Sequence, residues 1–280
     1  MENTEIVNKI NSFPRWHYQF NLKGHLTPIF DKQLINRHQE RKRYFFDPLV
    51  QFLGGSLSGK RILDLGCNAG FWALHAIDHG CDYVLGVDGR QMHIDQSNFV
   101  FEASNVEKKR YDFIQENIFD LDFTRYGTFD IIFCLGLMYH ISKPMVLMEK
   151  ISAVNSDILL IDTCLSMARG SFLQLVHEPV DDPRNAIDYE LVFHPTRKAV
   201  LEIVRQFGYS TIILKPQFQN YLGAEVYQKG SRRAFICSKR GNLDNFPAEK
   251  EPVDLPAQKE SGLLGVFRPL VHSLRKRFLH

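Results

Sequence analysis

Two carboxylates flank a turn of small residues early in the chain. The stretch Arg61 to Leu74 reads RILDLGCNAGFWAL, so Asp64 stands just before Gly66-Cys67-Asn68-Ala69-Gly70. Asp88 ends the next apolar run, YVLGVDG. An apolar strand, a tight turn and a helix in that order build a ligand seat at a strand end. A dinucleotide seat needs Gly-x-Gly-x-x-Gly, whose middle glycine lets a pyrophosphate approach the backbone. Here that position is Asn68 and the spacing is Gly-x-x-x-Gly, and no Gly-Lys-Ser/Thr ending follows. The turn therefore suits a nucleoside without phosphates. Asp64 repels phosphate and attracts an ammonium or sulfonium, and Asp88 is placed to accept hydrogen bonds from ribose hydroxyls. Further along, Tyr139 and His140 follow the apolar run FDIIFCLGLMYH, where His140 could serve as a general base or simply anchor the loop. His177 and Glu178, in QLVHEPVDDPRN, belong to an insertion that could cover an acceptor.

The elements that must hold these residues show in the hydropathy. Seven strand-length apolar runs begin at 61, 83, 111, 129, 157, 211 and 233, with amphipathic stretches such as 143 to 153 and 195 to 207 between some of them. Apolar strands alternating with helices mean a mostly parallel sheet covered on both faces. The last two runs are separated by a loop-length segment, so the final strand is expected to be antiparallel. The expected architecture is an α/β, Rossmann-like, doubly wound sheet of seven strands. Residues 1 to 60 read as a helical, aromatic-rich extension, 61 to 240 as the sheet domain, and 241 to 280 as a linker and basic tail. Pro48 suits a helix start. The aromatic segment 13 to 20 reads equally as a lid or a brace, and Arg37, Arg41, Lys42 and Arg43 form a basic run.

Composition sets bounds. The 280 residues are 44% hydrophobic and 24% charged with net charge +2, ordinary usage that gives no charge-based case for nucleic acid. The five cysteines make no C-x-x-C pair, so no metal site is expected and a reduced, cytoplasmic setting is. The polar start does not read as a signal peptide, and no apolar run reaches the roughly 20 residues that span a bilayer. The basic, apolar segment 263 to 280 could lie on a membrane surface.

A nucleoside with a cationic amino-acid tail and no phosphate is S-adenosylmethionine. The segment 61 to 165 resembles the class I S-adenosylmethionine-dependent methyltransferases, through ILDLGCNAG, GVDG, IQENIFDLD and FDIIFCLGLMYHISKP in that order. The resemblance implies that Asp64, Gly66, Cys67, Asn68 and Gly70 seat the methionine and ribose, and that Asp88 holds the ribose. It places Gly89 and Met92 beside the adenine, Asn117 near its amino group and Ile118 on its ring. Cys134, Leu135 and Gly136 would close the site near the sulfonium. A closer resemblance, over about 60 to 240 and through LGLMYHISKP, YELVFHPTRKAVLEIVRQFGY and GSRRAFICSKR, is to the enzymes that modify the oxygen of 5-hydroxyuridine at the tRNA wobble position. Those carboxymethyl-transferring relatives hold a carboxylated cofactor with a Lys, a Tyr and an Arg; Tyr139 and Arg233 match two, and FPRWHYQFNL offers no Lys. Plain methyl transfer is the expectation. Three functions follow: O-methylation of a small-molecule or glycan hydroxyl, modification of a tRNA wobble uridine, and cofactor binding without catalysis.

Overall fold

The computed structural model describes residues 1 to 187 and 189 to 249. Seven strands form its main sheet: β1 (Arg61–Leu65), β2 (Tyr83–Asp88), β3 (Tyr111–Gln115), β4 (Phe129–Leu135), β5 (Asn155–Cys164), β8 (Ser210–Ile213) and β9 (Arg232–Ser238). An inserted hairpin, β6 (Leu173–His177) with β7 (Leu191–Pro195), stands between β5 and the next helix. The strand order is β8-β9-β5-β4-β1-β2-β3. β1 to β5 are parallel, and β9 runs antiparallel to both β5 and β8. The seven-stranded expectation, with its antiparallel last strand, is what the sheet shows.

Alternation along the strands sends successive side chains to opposite faces. Ile62, Val84 and Phe133 enter one core, and Leu63, Leu85 and Cys134 the other. The first core is covered by α1 (Asn3–Ser12), α3 (Asp47–Phe52), α4 (Phe71–Asp78) and α5 (Gln91–Ala103). α2 (Gln33–Arg41) lies at its rim, where His38 meets Tyr18 and Arg41 faces the Trp72 ring. The second is covered by α6 (Pro144–Val154) and α7 (Arg197–Gln206). Pro144 opens α6, where a missing N–H is harmless. Thr196 caps α7, its hydroxyl accepting from Ala199 N at 3.2 Å. The strand order reverses at β1, between β4 and β2, which opens a crevice at the strand C-termini.

One boundary differs from expectation. Residues 1 to 60 form the expected helical, aromatic-rich extension, and its side chains also enter the first core. Trp16 is fully buried, its indole N–H bonded to Ile10 O at 3.1 Å, and Tyr18 stacks on Phe71 with centroids 4.5 Å apart. At the other end the packed chain continues past 240. Leu243 and Phe246 are buried, Phe246 lies 4.8 Å from Phe52 ring to ring, and Glu249 bonds Arg233 and Arg197. Ala248 forms a bridge with Leu214 beside β8. One aliphatic and one aromatic side chain, with the Glu249 ion pairs and the Ala248 bridge, thus dock a segment whose prolines and charges read as linker. The expected surface segment 263 to 280 lies outside the described residues. No helix among the described residues is long and apolar enough to cross a membrane.

Phe246→Ala should cost about 2–4 kcal/mol of stability, since a buried ring leaves a cavity behind. Urea denaturation checks this. An unchanged midpoint would mean that residues 241 to 249 add nothing to the fold.

Candidate active site

The turn after β1 is folded across the end of β2. The amides of Gly66 and Cys67 both donate to Val87 O, at 2.8 and 3.1 Å. Gly66, Asn68 and Gly70 all have positive φ, +69°, +49° and +75°. Asparagine tolerates this region because its short amide bonds locally, and Asn68 Oδ1 accepts from Ala69 N at 2.8 Å. Gly66 and Asn68 face a cavity of about 440 Å³, within the range of small-molecule sites. Cys67 and Gly70 sit behind that wall. A Cβ on Gly70 would come within 3.2 Å of Ser97, Phe101 and Phe113, so its role is to let α5 and β3 close on the turn.

Asp88 lines the cavity with its carboxylate already anchored. Asn68 N donates to Oδ2, while Arg90 N and the His93 ring donate to Oδ1, each at 3.0 Å. Oδ2 keeps one lone pair for a ligand hydroxyl. His93, absent from the sequence reading, also lies 3.2 Å from the Asn68 side chain and ties turn to acid. Its signal was its place in the first turn of α5, just beyond Asp88. Asp64 lies beneath the turn, buried, with Oδ2 lacking any partner among the described residues. Burial, and then the charge of Asp88, push its carboxyl up to about 7. A buried orphan carboxylate oxygen fits a site that receives a cation.

Gly89, Asn117 and Ile118 line the far end of the cavity. Asn117 also accepts from Phe119 N through Oδ1 at 3.0 Å, so it shapes the turn after β3 as well as the wall. Ile187, from the loop before β7, packs directly over Gly89. Met92 falls instead in a minor neighbouring recess with Arg15 and His93.

At the near end, Leu135 and Gly136 lead from β4 into the turn carrying Tyr139 and His140. Cys134 points into the second core, not the cavity. His140 Nδ1 lies 2.5 Å from Glu178 Oε2, and both residues face the cavity. Glu178 also accepts from Ala186 N at 3.2 Å. His177, next in sequence, points away and pairs with Glu190 at 2.9 Å. Tyr139 accepts from Arg232 Nη1 at 3.1 Å. The expected arginine, Arg233, does not reach the cavity. Adjacent strand residues face opposite ways, so Arg232 points inward and Arg233 bonds Glu249 and Tyr227 O. Arg232 and Arg41 both grip Asp162 Oδ2, at 2.7 and 2.8 Å. Burial pushes the Asp162 carboxyl up, but the two guanidinium groups outweigh it and hold it below its ordinary value. Among the described residues no cluster of three or more His, Cys, Asp or Glu could hold a metal ion.

Two outcomes follow for the cofactor end. Asp88→Ala should weaken S-adenosylhomocysteine binding by about 2 kcal/mol or more, because a charged acceptor is lost; unchanged affinity in a folded variant would remove the assignment. The second concerns pH. An ammonium near Asp64 lowers its pKa, so binding releases a proton wherever free Asp64 is protonated. Affinity should be level above pH 8 and fall by about tenfold from pH 8 to pH 6. Calorimetry of Asp64→Asn, which cannot titrate, should show that drop flattened.

A methyltransferase-domain family model matches residues 35 to 214. The tRNA U34 carboxymethyltransferase of Helicobacter acinonychis (strain Sheeba) is 29% identical over 120 residues, 40% of this chain and 45% of that one. The ubiquinone biosynthesis O-methyltransferase of Neisseria meningitidis serogroup C (strain 053442) is 26% identical over 152 residues, 53% of this chain and 63% of that one. The alignments thus span about half the length of these relatives. Among solved structures, the N-terminal domain of EvdMO1, crystallised in the presence of SAH and D-fucose, shares the fold with a TM-score of 0.63 at 20% identity, covering 86% of this chain and 98% of that one. The reversed strand order, the glycine turn, the anchored Asp88 and the family match lead to one conclusion: this chain belongs to the class I S-adenosylmethionine-dependent methyltransferases.

Proposed function

We propose that the chain transfers a methyl group from S-adenosylmethionine to a hydroxyl oxygen of a small-molecule or glycan acceptor. The observation that carries this reading is the His140–Glu178 contact on the wall shared with Asp88 and the Gly66 turn. Bound S-adenosylmethionine would supply an already activated methyl group, with Asp88, Gly66, Asn68 and Asn117 seating it. What the chain must add is alignment, exclusion of water and a place for the acceptor proton. Alignment can contribute on the order of 7–11 kcal/mol. An ionised carboxylate only accepts, so Glu178 takes the Nδ1–H of His140 and leaves Nε2 as the basic nitrogen. Nε2 would take the hydroxyl proton as the oxygen attacks, and Glu178 would steady the imidazolium that results.

The roof supports a small acceptor. Residues 178 to 187 cover the cavity and are tied down on two sides. Arg90 donates to Asp182 O and Ala186 O at 3.3 Å, and Arg15 lies 3.8 Å from Asp182. Arg15 and Arg184 both stack on Phe30. Modification of a tRNA wobble uridine is the second reading, favoured by the relatives that carry that name; a folded RNA loop would have to lift this roof. Binding without catalysis is the third, and leaves the His140–Glu178 contact without a purpose.

His140→Ala should lower turnover roughly 10²–10⁴-fold with cofactor affinity nearly unchanged. Glu178→Gln should lower it by about tenfold or more, since the imidazolium loses its counter-charge. Labelled methyl transfer into fractionated cell extract identifies the acceptor pool. Label in tRNA alone would overturn the small-acceptor reading, and a fully active His140→Ala enzyme would remove the base.

A further inference from the structure

Two guanidinium groups meet one carboxylate beyond Gly136, and a third lines the cavity beside them. Arg41 and Arg232 share Asp162, which also accepts from the Tyr227 hydroxyl at 2.8 Å. Arg37, one helical turn before Arg41 on α2, lines the same cavity and has no counter-ion among the described residues. Its Nε is buried without a partner among the described residues, as is the Nε of Arg41. The other acids nearby are occupied: Glu178 by His140 and Ala186 N, Asp88 by its three donors. Glu225, the remaining acid that senses Arg37, is exposed and bonded to Gly223 N. Burial, and then the charge of Arg232, disfavour the protonated form of Arg37. A largely buried cation with no partner is costly, and the cost is relieved when a ligand brings an anion.

We infer that Arg37, backed by Arg41, is a subsite for a carboxylate on the acceptor, so that the preferred substrates are hydroxy acids rather than neutral alcohols. The inference rests on the proposed reading of the cavity as a cofactor and acceptor cleft. A guanidinium fork matches the two oxygens of a carboxylate with parallel hydrogen bonds. The methionine carboxylate of the cofactor offers the same chemistry. Position favours the acceptor: Arg37 lines the cavity together with Arg232 and Tyr139, which bond each other at the end that holds His140 and Glu178.

The test uses the full chain saturated with S-adenosylhomocysteine, titrated by calorimetry with 4-hydroxybenzoate and with its neutral partner 4-hydroxybenzamide. The acid should bind about tenfold or more tightly than the amide, the worth of one charged hydrogen-bonded pair. Arg37→Gln should erase that preference and leave S-adenosylhomocysteine affinity within about twofold. If Arg37→Gln does not fold, Arg37→Lys carries the test, because an ammonium cannot make the forked pair and the preference should drop several-fold. Equal binding of acid and amide to the wild type, or no binding of the acid, overturns the subsite. A variant that loses S-adenosylhomocysteine affinity assigns the carboxylate to the cofactor and overturns it too. Failure of S-adenosylhomocysteine to bind the wild type would instead sink the reading of the cleft.

Discussion

The carboxylate of Asp162 is the contact on which the near end of the site depends. It is fully buried at the end of β5, next to β4 in the sheet. One oxygen binds Arg41 from α2 and Arg232 from β9, and Tyr227 donates to both oxygens. Its backbone carbonyl accepts from Gly136 N at 2.8 Å, which sets the direction in which β4 leaves the sheet. Four parts of the chain, distant in sequence, are thereby fixed at one point. A buried carboxylate is costly unless its charge is matched and its lone pairs are filled, and here both conditions hold. Removing any one partner strands the others, so the arrangement acts more to specify where Tyr139 and His140 stand than to add stability.

The far end obeys a different constraint. Gly66, Asn68 and Gly70 bend the backbone where few side chains are tolerated, and the bend brings Asn68 N onto Asp88. Once Asp88 is held by three donors its carboxylate cannot rotate away from the cavity. Preorganisation of this kind spares a ligand the cost of ordering its own acceptor. Asp64, beneath the turn, adds negative potential only where it is ionised, since burial and the charge of Asp88 push its carboxyl up to about 7. The two ends thus carry opposite charge, negative where a cationic tail would lie and positive where an acceptor would enter.

Much of this was legible in the sequence because it is local. The five inner strands are buried on both faces, so each is a nearly continuous apolar run, while the edge strands β3 and β8 expose some of their residues. The turn and Asp88 lie within one strand-helix-strand unit and keep a recognisable spacing. What could not be read depends on chain segments that meet only in the fold. Glu178 lies 38 residues from His140, with no local sign of their contact. Arg233 was the match the resemblance implied, yet it is Arg232, paired with Cys164 in the sheet register, that lines the cavity. Trp16, Tyr18 and Phe20 alternate with polar residues and read as an extension, while their rings complete the first core. His17 shows the same limit. It lines the cavity, and burial holds its ring down to about 3, neutral throughout the ordinary pH range.

The central claim is that one cleft seats the nucleoside between Asp88 and Asn117 and presents the reacting sulfur to the His140–Glu178 wall. A crystal structure of the complex with S-adenosylhomocysteine tests it most directly. The account predicts a ribose hydroxyl within hydrogen-bond reach of Asp88 Oδ2, the adenine against Ile118, and the sulfur facing Leu135 and Gly136 with His140 beyond it. A ligand bound elsewhere, or one whose sulfur faces away from His140, would contradict it.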